Sequence, residues 1–585
     1  MLFITWAAWL ILATRTTPYV AAASSRNYES YDYFSLHLDP VADPEVVARS
    51  IGAQLEGPIG QLSDHYTFSI SKDSSTLIES RIQSLRKKRR KRGIEDAAGV
   101  LWHERQRVRP PLQKRIPPPP PPPPTLPITA RKTLPFHGAS KPDPDAVKAL
   151  DEIATTLDIN DPIFKEQWHL YNTIQPGHDL NVTGVWLQGI TGNGSITSIV
   201  DDGLDMYSED LKDNYFAEGS WDYNDPGPEP KPRLFDDRHG TRCAGEVAAA
   251  KNSVCGVGMA YDGQVSGIRI LSKLISDEDE AAAINYGYQD NQIYSCSWGP
   301  PDDGETMDAP SVLIQRAMVN GVQNGRGGLG SVFVFAAGNG AAADDNCNFD
   351  GYTNSIYSIT VGAIDEEGNH PYYSEPCSAQ LIVTYSSGAT DAIHTTDVGA
   401  HRCYAAHGGT SAAGPLVAGS VALALGFRND LSWRDMQYLC IEAAIPVHLD
   451  DGDWQDTATG KKFSHVYGYG KIDTWRLLEA AKTFESVKAQ AWYQSPWLSV
   501  QHAVPQGDRG LASSFTVTQD MLTEANLARL EHITVTMNVN HTRRGDLSVE
   551  LRSPTGLVSY LSTPRRRDTA RTGYEDWTFM SVVHW

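Results

Sequence analysis

The sequence predicts an α/β domain built on a mostly parallel sheet, with a small α/β unit before it and an all-β sandwich after it. Three observations carry this expectation. From about 151 to 482, apolar β-rich runs alternate with helical patterns, as in strands joined by covering helices. Ser195–Val200 leads into Asp201, Ser331–Ala337 (SVFVFAA) leads into Gly338-Asn339-Gly340, and Ala412–Leu425 reads as an apolar helix rich in small residues. Beyond about 489 the pattern changes to short strands separated by turn residues, at His532–Val539, Leu547–Leu551 and Leu557–Leu561, which suggests a sandwich. Ahead of both, residues 24–85 mix strand and helix character with few glycines. A chain of 585 residues exceeds one simple core and suggests about two to four domains. No internal repeat is visible.

Composition narrows the function. The hydrophobic share of 41% excludes wholesale disorder. A formal charge of -21 argues against a chain built to bind nucleic acid. Seven cysteines are too few for a disulfide-dense scaffold, and their odd number leaves at least one thiol unpaired. The charge is also uneven. Residues 1–115 carry 17 Lys+Arg against 12 Asp+Glu, a net of +5, so the remainder carries -26. A basic front joined to an acidic body suggests an intramolecular partner, or a body that binds cations.

The first 13 residues, MLFITWAAWLILA, are apolar but too short to span a bilayer comfortably. Arg15 interrupts the run and Ala21-Ala22-Ala23 follow, so 1–23 reads as a signal peptide, although its basic front region is missing. The alternative is an N-terminal anchor or a buried helix. No other stretch reads as a membrane span. A secretory chain permits disulfides and gives meaning to three glycosylation acceptors, Asn181, Asn193 and Asn540. The run Arg86–Arg92 ends Arg-Lys-Arg before Gly93. In a secreted chain it reads as a proteolytic site after Arg92 rather than as a solvated basic run or a localisation signal. A second pair, Lys114-Arg115, precedes Ile116 and the eight prolines Pro117–Pro124, which form an extended rod and keep the pair accessible. Residues 24–115 therefore read as a removable segment, and 116–150 as a Pro-rich linker.

Three further segments carry chemistry. Asp201-Asp202-Gly203 ends a predicted strand, His239-Gly240-Thr241-Arg242 opens a helical pattern, and Gly409-Thr410-Ser411-Ala412 opens the apolar helix. Each alone has a bland reading: a turn former, a structural histidine, a helix cap. Together, each at a strand–helix junction, they stand in the Asp…His…Ser chain order of subtilisin. A neutral serine hydroxyl is a poor nucleophile, so an imidazole must take its proton. His239 has the intrinsic pKa for that role. Asp201 would fix its tautomer and stabilise the imidazolium. Ser411 at a helix start points free N–H groups at a developing oxyanion. Asn339, between glycines after a buried strand, is the candidate second donor, and losing such a donor costs roughly 2.7–4 kcal/mol in subtilisin.

Five motifs extend the likeness: IVDDGLD (199–205), DDRHGTRCAGE (236–246), YSCSWGPPDDG (294–304), NFDGYTNSI (348–356) and HGGTSAA (407–413). The chain resembles the kexin/furin-like proprotein convertases of the subtilisin superfamily from about 151 to its end. Several of these motifs separate that branch from degradative subtilisins. Asn160-Asp161-Pro162 and Gln167-Trp168 resemble the start of its catalytic domain, and the second half of the removable segment resembles its prodomains.

The resemblance implies 24–115 as an inhibitory prodomain, 151–482 as a subtilisin-like catalytic domain and 489–585 as a P domain. It also implies a Ca²⁺-dependent serine endoprotease of the secretory pathway, in the Golgi or secreted. Such an enzyme cleaves proproteins after Lys-Arg or Arg-Arg and activates itself by cutting after Arg115, with a later cut after Arg92. A desolvated guanidinium needs paired carboxylates. By resemblance, Asp302 and Asp350 line the primary pocket, and Asp202 and Asp236 hold the basic residue one step back, with Asp237 as a candidate helper. Glu280, Asp308 and Tyr352 map near the subsite for the fourth residue before the cut, where this chain's own junction has Leu112 rather than Arg. Two Ca²⁺ sets follow in the same way: Asp161, Asp210 and Asn252 with the carbonyls of Val254 and Gly256, and Asp302 with Asp345 and Glu375. A third family site would fall on Asp222–Glu229, where carboxylates are fewer, and it stays open. Implied disulfides pair Cys255 with Cys403 and Cys347 with Cys377. Cys243, four residues after His239, reads as a buried packing residue rather than a catalytic thiol.

Gly414 departs from the family's usual alanine. The chain stops at Thr578–Trp585, whereas relatives continue for several strands and many add a membrane span. The chain thus reads as truncated within the sandwich, with an exposed edge expected to make it fold or mature poorly alone. Two rival functions remain at this stage: a broad-specificity secreted subtilase, and a non-enzymatic secretory binding module.

Overall fold

The structure, a computed structural model, describes residues 26–73, 78–84, 99–109, 112–120, 141–388, 390–451, 453–507 and 509–585. The signal-peptide segment, Arg92 and the linker from 121 to 140 lie outside them. The chain forms two compact units that divide between Gln106 and Arg107.

The first unit is a four-stranded antiparallel sheet of β1 (Tyr31–Leu38), β2 (Gln54–Pro58), β3 (His65–Ser71) and β4 (Val100–Arg105), in the order β2-β3-β1-β4. Helix α1 (Pro44–Ile51) starts where Asp43 accepts the N–H groups of Glu45 and Val46, and ends at Gly52, whose φ of 70° suits a glycine cap. Phe34, Leu36, Leu38, Val47, Ile51, Phe68, Ile70, Ile78 and Ile82 close its core.

In the second unit, a two-residue strand β5 (Gln113–Lys114) precedes the main sheet. That sheet comprises β6 (Ile196–Asp201), β7 (Trp221–Asp222), β8 (Gln264–Arg269), β9 (Ile293–Cys296), β11 (Val332–Ala336), β12 (Ser358–Ile364) and β13 (Ile382–Tyr385), while β10 (Trp298–Gly299) stands apart. Its order is β13-β12-β11-β9-β6-β8-β7 and every pairing is parallel, as the sequence predicts. Its strands are apolar on both faces because helices cover both. From β6 the chain builds outward to β8 on one side and then to β9 on the other. This reversal opens a crevice at the carboxyl ends of β6, β9 and β11, the usual ligand position in such sheets.

Two helices complete the crevice. Helix α2 (His239–Ala248) packs close because Gly240 has no side chain: a Cβ there would lie 2.3 Å from the Gly203 carbonyl oxygen and 2.8 Å from the Asp201 Cβ. The other, Thr410–Phe427, is buried along nearly its whole length. Its composition would pass for a membrane span, unlike the sequence reading, but 89% of it is enclosed by the domain.

After a stretch that carries one short helix, Gln519–Glu524, the C-terminal strands Ile533–Val539 and Tyr574–Ser581 pair antiparallel, as do Val549–Arg552 and Val558–Ser562. Tyr574–Ser581 is a strand the sequence reading omits, because Glu575 and Asp576 interrupt its apolar pattern. Leu547, Leu561, Tyr574, Trp577 and Phe579 pack with Phe349, so these strands share a core with the segment next to Asp350.

Candidate active site

Asp201 closes β6 and His239 opens α2, which brings them together at the crevice. His239 Nδ1 lies 2.9 and 3.0 Å from the two carboxylate oxygens of Asp201, and both residues are buried. The Nε2 of His239 makes no hydrogen bond. Ser411, in the first turn of the Thr410–Phe427 helix, donates its hydroxyl to the Ser297 carbonyl at 3.2 Å. Asn339 follows β11. Its Oδ1 accepts the N–H and hydroxyl of Thr410 at 2.9 and 3.1 Å, which orients the side chain and leaves Nδ2 without a partner.

The segment 112–118 lies in this crevice. Strand β5 pairs antiparallel with β10, Lys114 opposite Trp298 and Gln113 opposite Gly299. Arg115 N–H donates to the Ser297 carbonyl at 3.1 Å, and the Tyr372 hydroxyl donates to the Pro118 carbonyl. Gly409 marks where the Arg115 carbonyl sits: a Cβ on Gly409 would fall 2.4 Å from that oxygen and 3.0 Å from Asn339 Nδ2. The positive φ of Gly409, 81°, and this close approach both call for glycine.

The Arg115 side chain is 1% exposed, with its guanidinium against Asp350, the Ala336 carbonyl and, at 3.8 Å from Nε, Asp302. Burial alone would lower its pKa. Asp350, Asp302 and Glu375 more than offset that and raise it, so the group stays charged. Gly299 makes the room: a Cβ there would meet Arg115 Nη2 at 2.2 Å and Asp350 Oδ2 at 2.8 Å. Lys114 Nζ lies 2.7 Å from Asp202. That carboxylate also accepts the N–H groups of Arg238, His239 and Gly240, so it holds the start of α2 as well. Lys114 reaches Asp236 through its backbone carbonyl, at 3.0 Å.

Asp237 departs from the sequence reading. Its carboxylate is buried against Arg269, Ser272 and the N–H groups of Arg233 and Leu234, and makes no contact with the segment. Arg269 needs that pairing because it is itself fully buried. It also pairs with Asp222 and Asp225, so a cationic side chain occupies the acidic loop that stood as the open third metal site.

The other two carboxylate sets do assemble. Asp161 accepts the Asn252 N–H at 3.1 Å, and Asn252 Nδ2 donates to Asp210 at 3.3 Å. Burial pushes Asp161 up to about 6 and Asp210 up to about 7, and no ion pair relieves either among the described residues. Buried oxygen donors short of a counter-charge fit a hard cation. Asp302, Asp345 and Glu375 line a small cavity behind the Arg115 slot, and burial lifts Asp345 to about 6. Arg565, from the C-terminal strands, reaches Asp345 at 3.2 Å.

Disulfides join Cys255 to Cys403 and Cys347 to Cys377, with Cα separations of 5.4 and 5.5 Å. Cys243, Cys296 and Cys440 are free and buried. Cys243 lies 3.9 Å from His239 Nδ1, but burial, with Asp201 and Glu246 nearby, pushes its thiol well up and disfavours a thiolate. Asn193 and Asn540 are exposed. Asn181 is exposed too, but its Nδ2 donates to Asp473 at 3.1 Å, which occupies the atom that would carry a glycan. Sequence reasoning overlooked Ser297, the Trp298–Gly299 edge and Tyr372, which touch the segment largely through backbone or a lone hydroxyl.

The subtilase family profile matches residues 192–470, and the proprotein convertase P-domain profile matches 530–585. The dibasic-processing endoprotease of Schizosaccharomyces pombe is 45% identical, covering 95% of this chain and 74% of the relative. Kexin of Candida albicans (strain WO-1) is also 45% identical over 96% of this chain, which spans 62% of that relative's length. A serine protease of Aeromonas sobria shares the fold, with a TM-score of 0.61 at 21% identity over 73% of this chain and 86% of that one. The fold is thus that of a subtilase with an added β-domain. The chain belongs to the kexin-like proprotein convertases.

Proposed function

We propose that the chain is a Ca²⁺-dependent serine endoprotease of the secretory pathway. It cuts proproteins after Lys-Arg or Arg-Arg and matures by cutting its own chain after Arg115, with the segment up to Arg115 acting as its inhibitor. One observation supports this above the rest: Arg115 fills a carboxylate-walled slot, and its carbonyl and the unpaired Asn339 amide both lie close to Gly409, at the start of the Ser411 helix. In this reading Ser411 Oγ leaves the Ser297 carbonyl, gives its proton to His239 Nε2 and attacks the Arg115 carbonyl carbon. Asp201 keeps the opposite nitrogen protonated. Asn339 Nδ2 meets the oxyanion. His239 then protonates the departing Ile116 amine, and water releases the acyl group by the same path in reverse.

Asp161, Asp210 and Asn252 would hold one Ca²⁺, and Asp302, Asp345 and Glu375 another. Bound there, the ions would neutralise buried carboxylate and fix the loops around the slot. The ion pairs of Arg115 with Asp350 and Asp302 and of Lys114 with Asp202 favour this reading over a broad-specificity protease. Peptides ending Lys-Arg test it, with and without chelator. The wild-type enzyme is expected to cleave them only without chelator, and Ser411→Ala not at all. Equal cleavage of peptides ending in leucine would contradict it.

A further inference from the structure

The fourth residue before the junction, Leu112, leaves the acids at Glu280 and Asp308 unmatched, yet they have a cation. Arg109, seventh before the junction, occupies them. Its Nη2 lies 3.1 and 2.9 Å from the two oxygens of Asp308 and 2.9 Å from the Ala309 carbonyl. Its Nε lies 3.4 Å from Asp277, and its Nη1 lies 3.8 Å from Glu280 and 3.4 Å from the Tyr352 hydroxyl. The side chain is only 17% exposed and Glu280 is 2% exposed. Backbone contacts fix the approach: Val108 bridges to Ser276, and Arg109 N–H donates to the Ile275 carbonyl at 3.4 Å.

We propose that this cage reads an arginine seven residues before the cut, so that the self-processing site is recognised as Arg-Pro-Pro-Leu-Gln-Lys-Arg rather than as Lys-Arg alone. The inference rests on the endoprotease reading above. Glu280 and Asp277 are buried carboxylates that are costly without a cation, so the cage favours a peptide that supplies one. Leu112 cannot do so.

Mature wild-type enzyme would be given two fluorogenic peptides, one carrying Arg-Pro-Pro-Leu-Gln-Lys-Arg before the dye and one with alanine in place of Arg109. The alanine peptide is expected to lose roughly 10-fold or more in kcat/KM. With Asp308→Asn enzyme that difference should shrink several-fold. In the full chain, Arg109→Ala should slow self-cleavage while Arg109→Lys restores part of it. Equal cleavage of the two peptides by wild-type enzyme would overturn the inference and leave dibasic cleavage standing. An undiminished difference in Asp308→Asn would also overturn it, by placing the arginine elsewhere. If neither peptide were cut, the endoprotease reading would fall and this inference with it.

Discussion

Removing one member of a buried ion pair leaves the other uncompensated, at a cost of about 3–5 kcal/mol. At Arg115 that member is Asp350. Asp350→Asn should therefore lower kcat/KM for substrates with Arg at the cut by about 10²–10³-fold, read by steady-state kinetics at fixed Ca²⁺. Losses spread equally over all substrates would instead indicate a damaged fold. Glu280 adds a pH signature. Burial pushes its carboxyl up to about 7 even with Arg109 beside it lowering the value, together with the hydrogen bond from Tyr352, while Asp277 and Asp308 raise it. Without Arg109 the carboxyl would titrate higher still. Seating the arginine therefore releases a proton, and its affinity rises with pH from about 7 upward. The preference for the Arg109-bearing peptide over its alanine counterpart should accordingly be larger at pH 8 than at pH 6. A preference that falls over this range would contradict that sign.

Strand β10 pairs with the backbone of Gln113–Lys114, and Gly299 leaves the room that the Arg115 guanidinium fills. Gly299→Ala should leave the fold intact by circular dichroism and abolish cleavage after arginine, since the new methyl would occupy the guanidinium's place. The parallel sheet and the junctions at Asp201, Asn339 and Ser411 were legible in the sequence because each rests on a strong local pattern. An apolar strand ends at Asp201, an apolar strand ends before Asn339, and a glycine-led helix opens at Ser411. The partners of Asp237 were not legible. A surface-like acid in DDRHG gives no sign that Arg269, 32 residues later and at the end of β8, is buried against it. Nor could spacing show that Arg109, not Leu112, meets Asp308. That match depends on where the backbone of 108–109 is pinned, which no residue pattern encodes. The backbone-mediated contacts of Ser297 and Trp298 left no side-chain signature to read.

At the scale of the second unit, the C-terminal strands and the slot that holds Arg115 form one body. Phe349 packs with Trp577 and Phe579, while Asn348 holds the Met580 backbone and the Trp577 ring nitrogen. Arg565 stacks on Phe349 and binds Asp345, one of the carboxylates behind the slot. The added β-domain thus braces the wall that carries Asp350. In the proposed reading, Arg115 seated among its carboxylates, with its carbonyl close to Gly409, is an uncut junction held at the catalytic centre. N-terminal sequencing of the fraction of the protein that is secreted, however small, tests this most directly: secreted wild-type protein is expected to begin at Ile116 or a few residues beyond it, and Ser411→Ala to remain joined across Arg115–Ile116. A wild-type chain that stays uncut there, or a Ser411→Ala chain cut just as fully when expressed alone, would contradict it.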